Sequence, residues 1–459
     1  MPYQDLRQFL EVLRKEGELI EIDRPMHLDN DIPKALKQIS VYGGPALIFN
    51  KNGTDYRFVA GIYATRSKAL LAFETTEDKL FDKFLRGLDN PIAPVMYKGA
   101  APCQEVVLTG KDIDIRRFPI PKYSPKDGGP FITPAIPVTR DPETGAPDIG
   151  HYRYHVLGPD RLGFYAQVFH RFGKNIIKSQ KLGKKLQGAI LLGTEPVIAY
   201  ACQVQGTDAT NDWEVAGGLR GAPVELVKCK TVDVEVPATT EMVIEFEVEP
   251  DHLAMEGPLG EFTGYYTPGS EKPTVRITAI THRRDPYVQG LLTGKPITEN
   301  HILKQVPFEA SFWRTMNRQF PTIDRIAFRP GGGVQYYLVI SMQPRFQGEA
   351  RQAIMAALAS NVRPKWVIVV EPDIDIYSSA DVEWAMSFRV QPDRDVFVVD
   401  NVPATHLDPS VDQSGPLETH ISSAVGIDAT RPVGKPFADV ADVPGWREFK
   451  MPELDKWRK

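Results

Sequence analysis

The chain has 459 residues, 42% of them hydrophobic and 25% charged. That globular balance excludes wholesale disorder and, at roughly 150 residues per domain, predicts two or three domains. The formal net charge is −5, from 54 basic and 59 acidic residues with no long basic block, so neither nucleic acid nor an anionic membrane is an expected partner. No apolar run approaches the ~20 residues that span a bilayer. The N-terminal stretch is charged throughout, with no signal-peptide core. Cys103, Cys202 and Cys229 are too few and too scattered for a disulfide framework or a zinc knuckle. A soluble cytoplasmic enzyme is expected.

Along the chain, Leu6, Phe9, Leu10 and Leu13 recur at helical spacing and Gly17 supplies a stop, which predicts a first helix. A short strand over 19–22 follows, then mixed helices and strands to about residue 115, including a helix near 76–87. This reads as an α/β domain over 1–115. From 116 to about 300 short apolar or alternating runs separated by Gly, Pro and Asp predict an antiparallel barrel or sandwich. Within it, 243–249 alternates strictly, placing Glu245, Glu247 and Glu249 on one face, expected to be solvated. A long helix over 302–320, with Pro307 at a turn or kink, would link to a third, α/β domain over 321–459. Gly331-Gly332-Gly333 leads into a strand, as a hairpin turn does. The final ~55 residues, rich in Pro, Asp and Ser, are expected to wrap a surface or a partner subunit.

The common catalytic motifs are absent: there is no GxGxxG after a strand, no Walker loop, no HExxH and no GxSxG. One local segment carries chemistry. Glu256-Gly-Pro-Leu-Gly-Glu261 sets two carboxylates five apart in a Gly/Pro-rich loop beside Leu253, Met255, Leu259 and Phe262. Glycines allow close backbone approach, and carboxyls in unequal surroundings can split into acid and base. A surface loop with two glutamates is the alternative. A second segment, Asp148-Ile-Gly-His-Tyr-Arg153, puts an arginine in an aromatic-rich strand, where it must meet an anion: a structural ion pair, or a carboxylate or phosphate ligand.

These segments together resemble the UbiD family of decarboxylases, which use prenylated flavin mononucleotide. The resemblance runs through DLRQFLEVLRKEGEL, DIGHYR, AQVFHRFGKN, GAPVELVKCKTVDVEVPATTEMVIE, MEGPLGEFTGYYTPG, TGKPITENH, WVIVVEPDIDIYSSADVEWAMSFRVQPDRD and SSAVGIDAT. It implies an N-terminal α/β domain, a central split β-barrel that holds the flavin, and a C-terminal α/β domain that dimerises. It further implies that Arg153 and Glu256 form a charged pair beside the flavin and that Glu261 donates the proton. Asp148, His170 and Glu225 would bind manganese or magnesium, a donor set suited to such ions. Ile149, Gly150, Arg153, His170, Glu225 and Lys365 would contact the cofactor, Lys365 near its phosphate. The chain departs from the family at Asp148, where asparagine is usual. The added negative charge would tighten divalent-metal binding and alter the potassium site found nearby in family members.

The implied activity is reversible, non-oxidative decarboxylation of an aromatic or heteroaromatic acid through a covalent adduct with prenylated FMN. Arg153 would hold the substrate carboxylate, Glu256 fix its guanidinium, and Glu261 replace the lost carbon dioxide with a proton. His301 and Lys304 resemble a family segment lining the substrate pocket and could recognise a polar substituent, or else form a solvated helix start. Phenolic acids and furan, pyrrole or indole carboxylates are candidate substrates. A separate prenyltransferase would supply the flavin, and a homodimer or trimer of dimers is expected. A flavin-binding subunit of a multi-component aromatic carboxylase and a flavin reductase are the alternatives, the latter lacking a nicotinamide fingerprint.

Overall fold

A computed structural model describes residues 3–453, except 169, 205, 207–209, 413, 416–418 and 446–448. The first helix, Leu6–Lys15, starts where the Asp5 carboxylate accepts the Gln8 N–H at 2.8 Å, and buries the predicted face of Leu6, Phe9, Leu10 and Leu13. The strands Leu19–Ile22, Ala46–Phe49 and Arg57–Ala60 build a sheet whose fourth member, Tyr287–Gln289, returns from far along the chain to lie parallel to Arg57–Ala60. Conversely, Val106–Thr109 leaves the first region to pair with the barrel strand Ser270–His282. The first two units therefore interlock, with exchanges on both sides of the expected boundary.

Six antiparallel strands close the central barrel: Phe131–Arg140, Tyr152–Val156, Arg161–Phe164, Ser270–His282, Met242–Glu256 and Gln187–Leu192, the last pairing back onto the first. Its interior is filled by Ile132, Tyr154, Phe164, Ile190, Phe246 and Val275, among others. The alternation over 243–249 is present, but its glutamate face is only partly solvated. Glu245 is fully buried and accepts the N–H groups of Lys230 (2.8 Å) and Thr231 (2.6 Å), while Glu247 and Glu249 pair with Lys185, Arg276 and Arg161. A crossing loop and basic neighbouring strands cover this face.

The helix Glu299–Asn317 leads out of the barrel and runs through Pro307 without interruption. It packs on a five-stranded sheet in the order Ile323–Phe328, Tyr337–Met342, Trp366–Val370, Ile421–Asp428 and Val396–Pro403. The three inner strands are parallel and the edges antiparallel. Helices Glu349–Leu358 and Ser379–Arg389 complete this unit. The C-terminal segment expected to wrap a surface instead contributes Ile421–Asp428 to the sheet interior. Ala424 and Ile427 are buried there, which the local Pro and Asp content concealed. Among the described residues, no helix is long and apolar enough to cross a membrane.

Candidate active site

Arg153 is the second residue of the barrel strand Tyr152–Val156, and Glu256 is the last residue of Met242–Glu256. Barrel closure brings them together although 103 positions separate them. The Arg153 guanidinium donates from Nε to Glu256 Oε1 at 3.0 Å and from Nη2 to Oε2 at 3.1 Å, a planar fork on a carboxylate that is 1% exposed. Its third nitrogen, Nη1, faces Glu261. One cation thus bridges both glutamates of the loop.

Glu261 occupies the tip of a small hairpin, Leu259–Gly260 against Tyr266–Thr267. Its N–H donates to Tyr265 O at 2.9 Å, and the Gly264 N–H donates back to Glu261 O at 2.8 Å. The hairpin base is gripped from outside: Asp127 accepts the Gly260 and Ser124 N–H groups at 2.9 and 2.7 Å, and the Gly128 N–H donates to Pro258 O at 2.7 Å. A Cβ on Gly128 would lie 2.1 Å from Gly257 O, so only glycine permits this approach. The sequence reading missed this grip. Its signal was the Asp-Gly-Gly run at 127–129, which was not connected to a loop 130 positions away.

These groups open onto a cavity of about 240 Å³ lined by Arg153, Glu261, Phe262, Tyr165, His170 and His406, among others. Two wall imidazoles, His151 and His406, each have a buried Nε2 without a hydrogen-bond partner among the described residues. Burial pushes both down to about 4, so both rings are neutral at pH 7 and present polar edges to a ligand. Tyr165 lies beneath two cations, Arg153 at 5.7 Å and Lys272 at 4.7 Å from its ring centroid. Leu259, Leu291 and Leu303 supply apolar wall. A mostly apolar recess with a few convergent polar groups suits a flat heterocycle such as a flavin.

The remaining expected residues divide. His170 caps the helix Arg171–Lys181 and lines the cavity, with its pKa lowered first by burial and then by Arg363 and Lys174. Ile149 and Gly150 immediately precede the wall residue His151, and the Ile149 N–H donates to Asp212 Oδ2 at 2.8 Å. Lys365 binds Asp408 at 2.8 Å and Ser410 at 2.6 Å, in a neighbouring cavity of about 180 Å³ with Arg363, Tyr336 and Thr405.

The metal set is not assembled. Glu225 is exposed on a separate three-stranded sheet, with Val95–Met96 and Glu235–Pro237 as neighbours. Among the described residues, no three of His, Cys, Asp and Glu are gathered to hold a metal. Asp148 instead converges with Asp212 on Arg171, whose Nε lies 3.2 Å from Asp148 and whose Nη2 meets Asp212. The extra charge at Asp148 is therefore met by a guanidinium. Asp212, in the first turn of Asp212–Arg220, was not singled out from the sequence.

His301 and Lys304 form no solvated helix start and do not reach the cavity. His301 is 1% exposed; its Nδ1 accepts the Thr298 N–H at 3.0 Å and its Nε2–H donates to Phe262 O at 2.8 Å. Burial pushes it down to about 4. Lys304 lies against the rings of Phe262 (5.1 Å) and Phe308 (4.4 Å), and burial pushes it down to about 8. The helix phase turns Asn300 and Leu303 to the cavity instead.

Comparison with known proteins agrees with this architecture. Three family models of 3-octaprenyl-4-hydroxybenzoate carboxy-lyase (UbiD) match: the N-terminal domain over residues 10–88, the Rift-related domain over 95–296 and the C-terminal domain over 301–429. The chain is similar to the UbiD-class enzyme HmfF from Pelotomaculum thermopropionicum in complex with FMN, at 32% identity and a TM-score of 0.89, covering 97% of this chain and 99% of that one. An evolved dimeric form of the same enzyme in complex with prFMN matches at 32% identity and 0.88, covering 98% and 100%. The closed form of Sedimentibacter hydroxybenzoicus vanillic acid decarboxylase matches at 30% identity and 0.87, covering 98% of each chain.

Proposed function

The chain belongs to the UbiD family and is a carboxy-lyase, and from that premise we propose that it decarboxylates an aromatic or heteroaromatic acid non-oxidatively and reversibly, with prenylated FMN as cofactor and Glu261 as proton donor. The observation that carries the reading is Arg153 bridging Glu256 and Glu261 at the cavity wall.

Loss of carbon dioxide leaves an electron pair on an sp² carbon, which no side chain can accept. Prenylated FMN, when bound, supplies that electron sink. The protein supplies charge, placement and a proton. Glu256, buried and doubly bonded, fixes the plane of the guanidinium. That leaves Nη1 as the face that a substrate carboxylate would engage, in exchange for Glu261. Glu261, released from Arg153 and protonated from solvent, delivers that proton to the carbon vacated by carbon dioxide and returns to the carboxylate. His151 and His406 offer polar contacts to the ligand. Ile149, Gly150, His170 and Lys365 are proposed cofactor contacts, Lys365 through its ammonium to the phosphate.

Among the described residues Asp148 and Asp212 are neutralised by Arg171 and no third ligand joins them, so this donor set does not fit a divalent metal. Vanillic acid, named for the Sedimentibacter relative, and other phenolic, furan, pyrrole and indole carboxylic acids form the test panel. Protein produced together with a flavin prenyltransferase should release carbon dioxide from at least one of them. Glu261→Gln should retain the flavin and turn over at about 1% of wild type or less. Turnover near wild type in that variant would remove Glu261 from the donor role.

A further inference from the structure

The residue after the donor, Phe262, is held by elements outside its own hairpin. From the helix Glu299–Asn317, the His301 Nε2–H donates to the Phe262 carbonyl at 2.8 Å, and Lys304 sits 5.1 Å from the centroid of its ring. From the C-terminal unit, the Tyr336 ring lies parallel at 6.3 Å and 9°. Gly333, at φ +69°, comes so near that a Cβ there would be 2.9 Å from the Phe262 ring carbons. The helix itself is anchored two residues earlier, where Glu299 accepts the N–H groups of Gly61 at 2.9 Å and Tyr63 at 2.7 Å. Both nitrogens of His301 are used, one to close the helix N-terminus on Thr298 and one on Phe262. Nothing of its ring is left for a substrate.

We propose that His301 is a positioning residue for the proton donor: its hydrogen bond to the Phe262 carbonyl fixes the hairpin tip, and so sets where the Glu261 carboxyl stands relative to Arg153 and the cavity. The hairpin base is fixed independently by Asp127 and Gly128, so the tip is the part whose placement depends on His301. This rests on the reading of Glu261 as donor. Its structural half does not, because the tie exists without cofactor or substrate.

The substitutions separate the two bonds from the bulk of the ring. Glutamine at a helix N3 position can accept the Thr298 N–H through its oxygen and donate to Phe262 through its amide, whereas alanine can do neither. In the cofactor-free full chain, hydrogen–deuterium exchange of the amides at 261–265 should rise roughly tenfold in His301→Ala and stay near wild type in His301→Gln. In holoprotein acting on an acid from the panel that wild type decarboxylates, His301→Ala should lose roughly 10–100-fold in kcat with KM within about threefold, and His301→Gln should recover most of it. Should His301→Ala not fold, Gly333→Ala, whose Cβ would meet the Phe262 ring carbons, displaces the same tip, and the same kcat-without-KM loss is expected. Unchanged exchange at 261–265, or a loss confined to KM, would overturn the proposal. Wild type that decarboxylates nothing, with exchange responding as described, would instead count against the donor reading and leave the tie standing.

Discussion

The two glutamates on Arg153 should fail in opposite ways when neutralised. Glu256→Gln keeps the shape of a side chain that is 1% exposed but leaves one guanidinium N–H facing an amide NH₂, donor against donor. Breaking a buried pair from one side costs about 3–5 kcal/mol. Glu261 remains on Nη1, which places the expected cost near the lower end, about 3 kcal/mol. At roughly 2–4 °C per kcal/mol for a unit of this size, the melting temperature should fall by about 6–12 °C. Glu261→Gln leaves the doubly bonded Glu256 in place and affects a group that is 12% exposed. It should cost about 1 kcal/mol, yet lower kcat by roughly 10²–10⁴. Thermal melts of wild type and both variants, alongside carbon dioxide release, read the two effects separately. A Glu256→Gln protein that melts with wild type, or a Glu261→Gln protein that melts lower than Glu256→Gln, would refute the division of labour.

Two further outcomes follow from the geometry. Gly128→Ala should displace the glutamate loop, because its Cβ would meet Gly257 O at 2.1 Å; about 1–3 kcal/mol of stability and roughly 10–100-fold in kcat should be lost together, by melt and turnover. Glu195 is 3% exposed, lies 3.9 Å from Arg220 Nε, and is pushed by burial from 4.5 up to about 7. The folded protein therefore holds a proton that the unfolded chain releases, so stability falls as pH rises from about 4.5 to about 7. Glu195→Gln should match wild type at pH 4.5 and exceed it by up to about 3 kcal/mol at pH 8 in denaturant titrations, and an equal gain at both pH values would contradict this.

Much of the fold was legible because its signals are local and periodic. The face of Leu6, Phe9, Leu10 and Leu13, and the alternation at 244, 246 and 248, both state directly which side is buried. The site was most legible locally where two functional groups share one short loop, as Glu256 and Glu261 do, while Arg153 and His170 were reached through the family resemblance. What stayed hidden depends on contacts between distant segments. Glu245 looked like solvent-facing polarity because the loop that covers it comes from residues 230–231. Glu225 and Asp212 are both acidic residues near a strand or helix start, and only the folded chain shows that Asp212 alone faces Asp148 across Arg171. His301 resembled a pocket residue by its place in a segment, but the helix phase turned its neighbours Asn300 and Leu303 inward and left the imidazole to hold a backbone carbonyl.

The central claim is that this chain binds prenylated FMN and uses it with Arg153, Glu256 and Glu261 to release carbon dioxide from an aromatic acid. Native mass spectrometry of protein produced with a flavin prenyltransferase, followed by turnover of the acid panel in deuterium oxide, tests it most directly. One prenylated flavin per chain and a product carrying one deuterium at the vacated carbon are expected. Folded protein that carries no flavin, or that carries it and turns over with Glu261→Gln as fast as wild type, would contradict it.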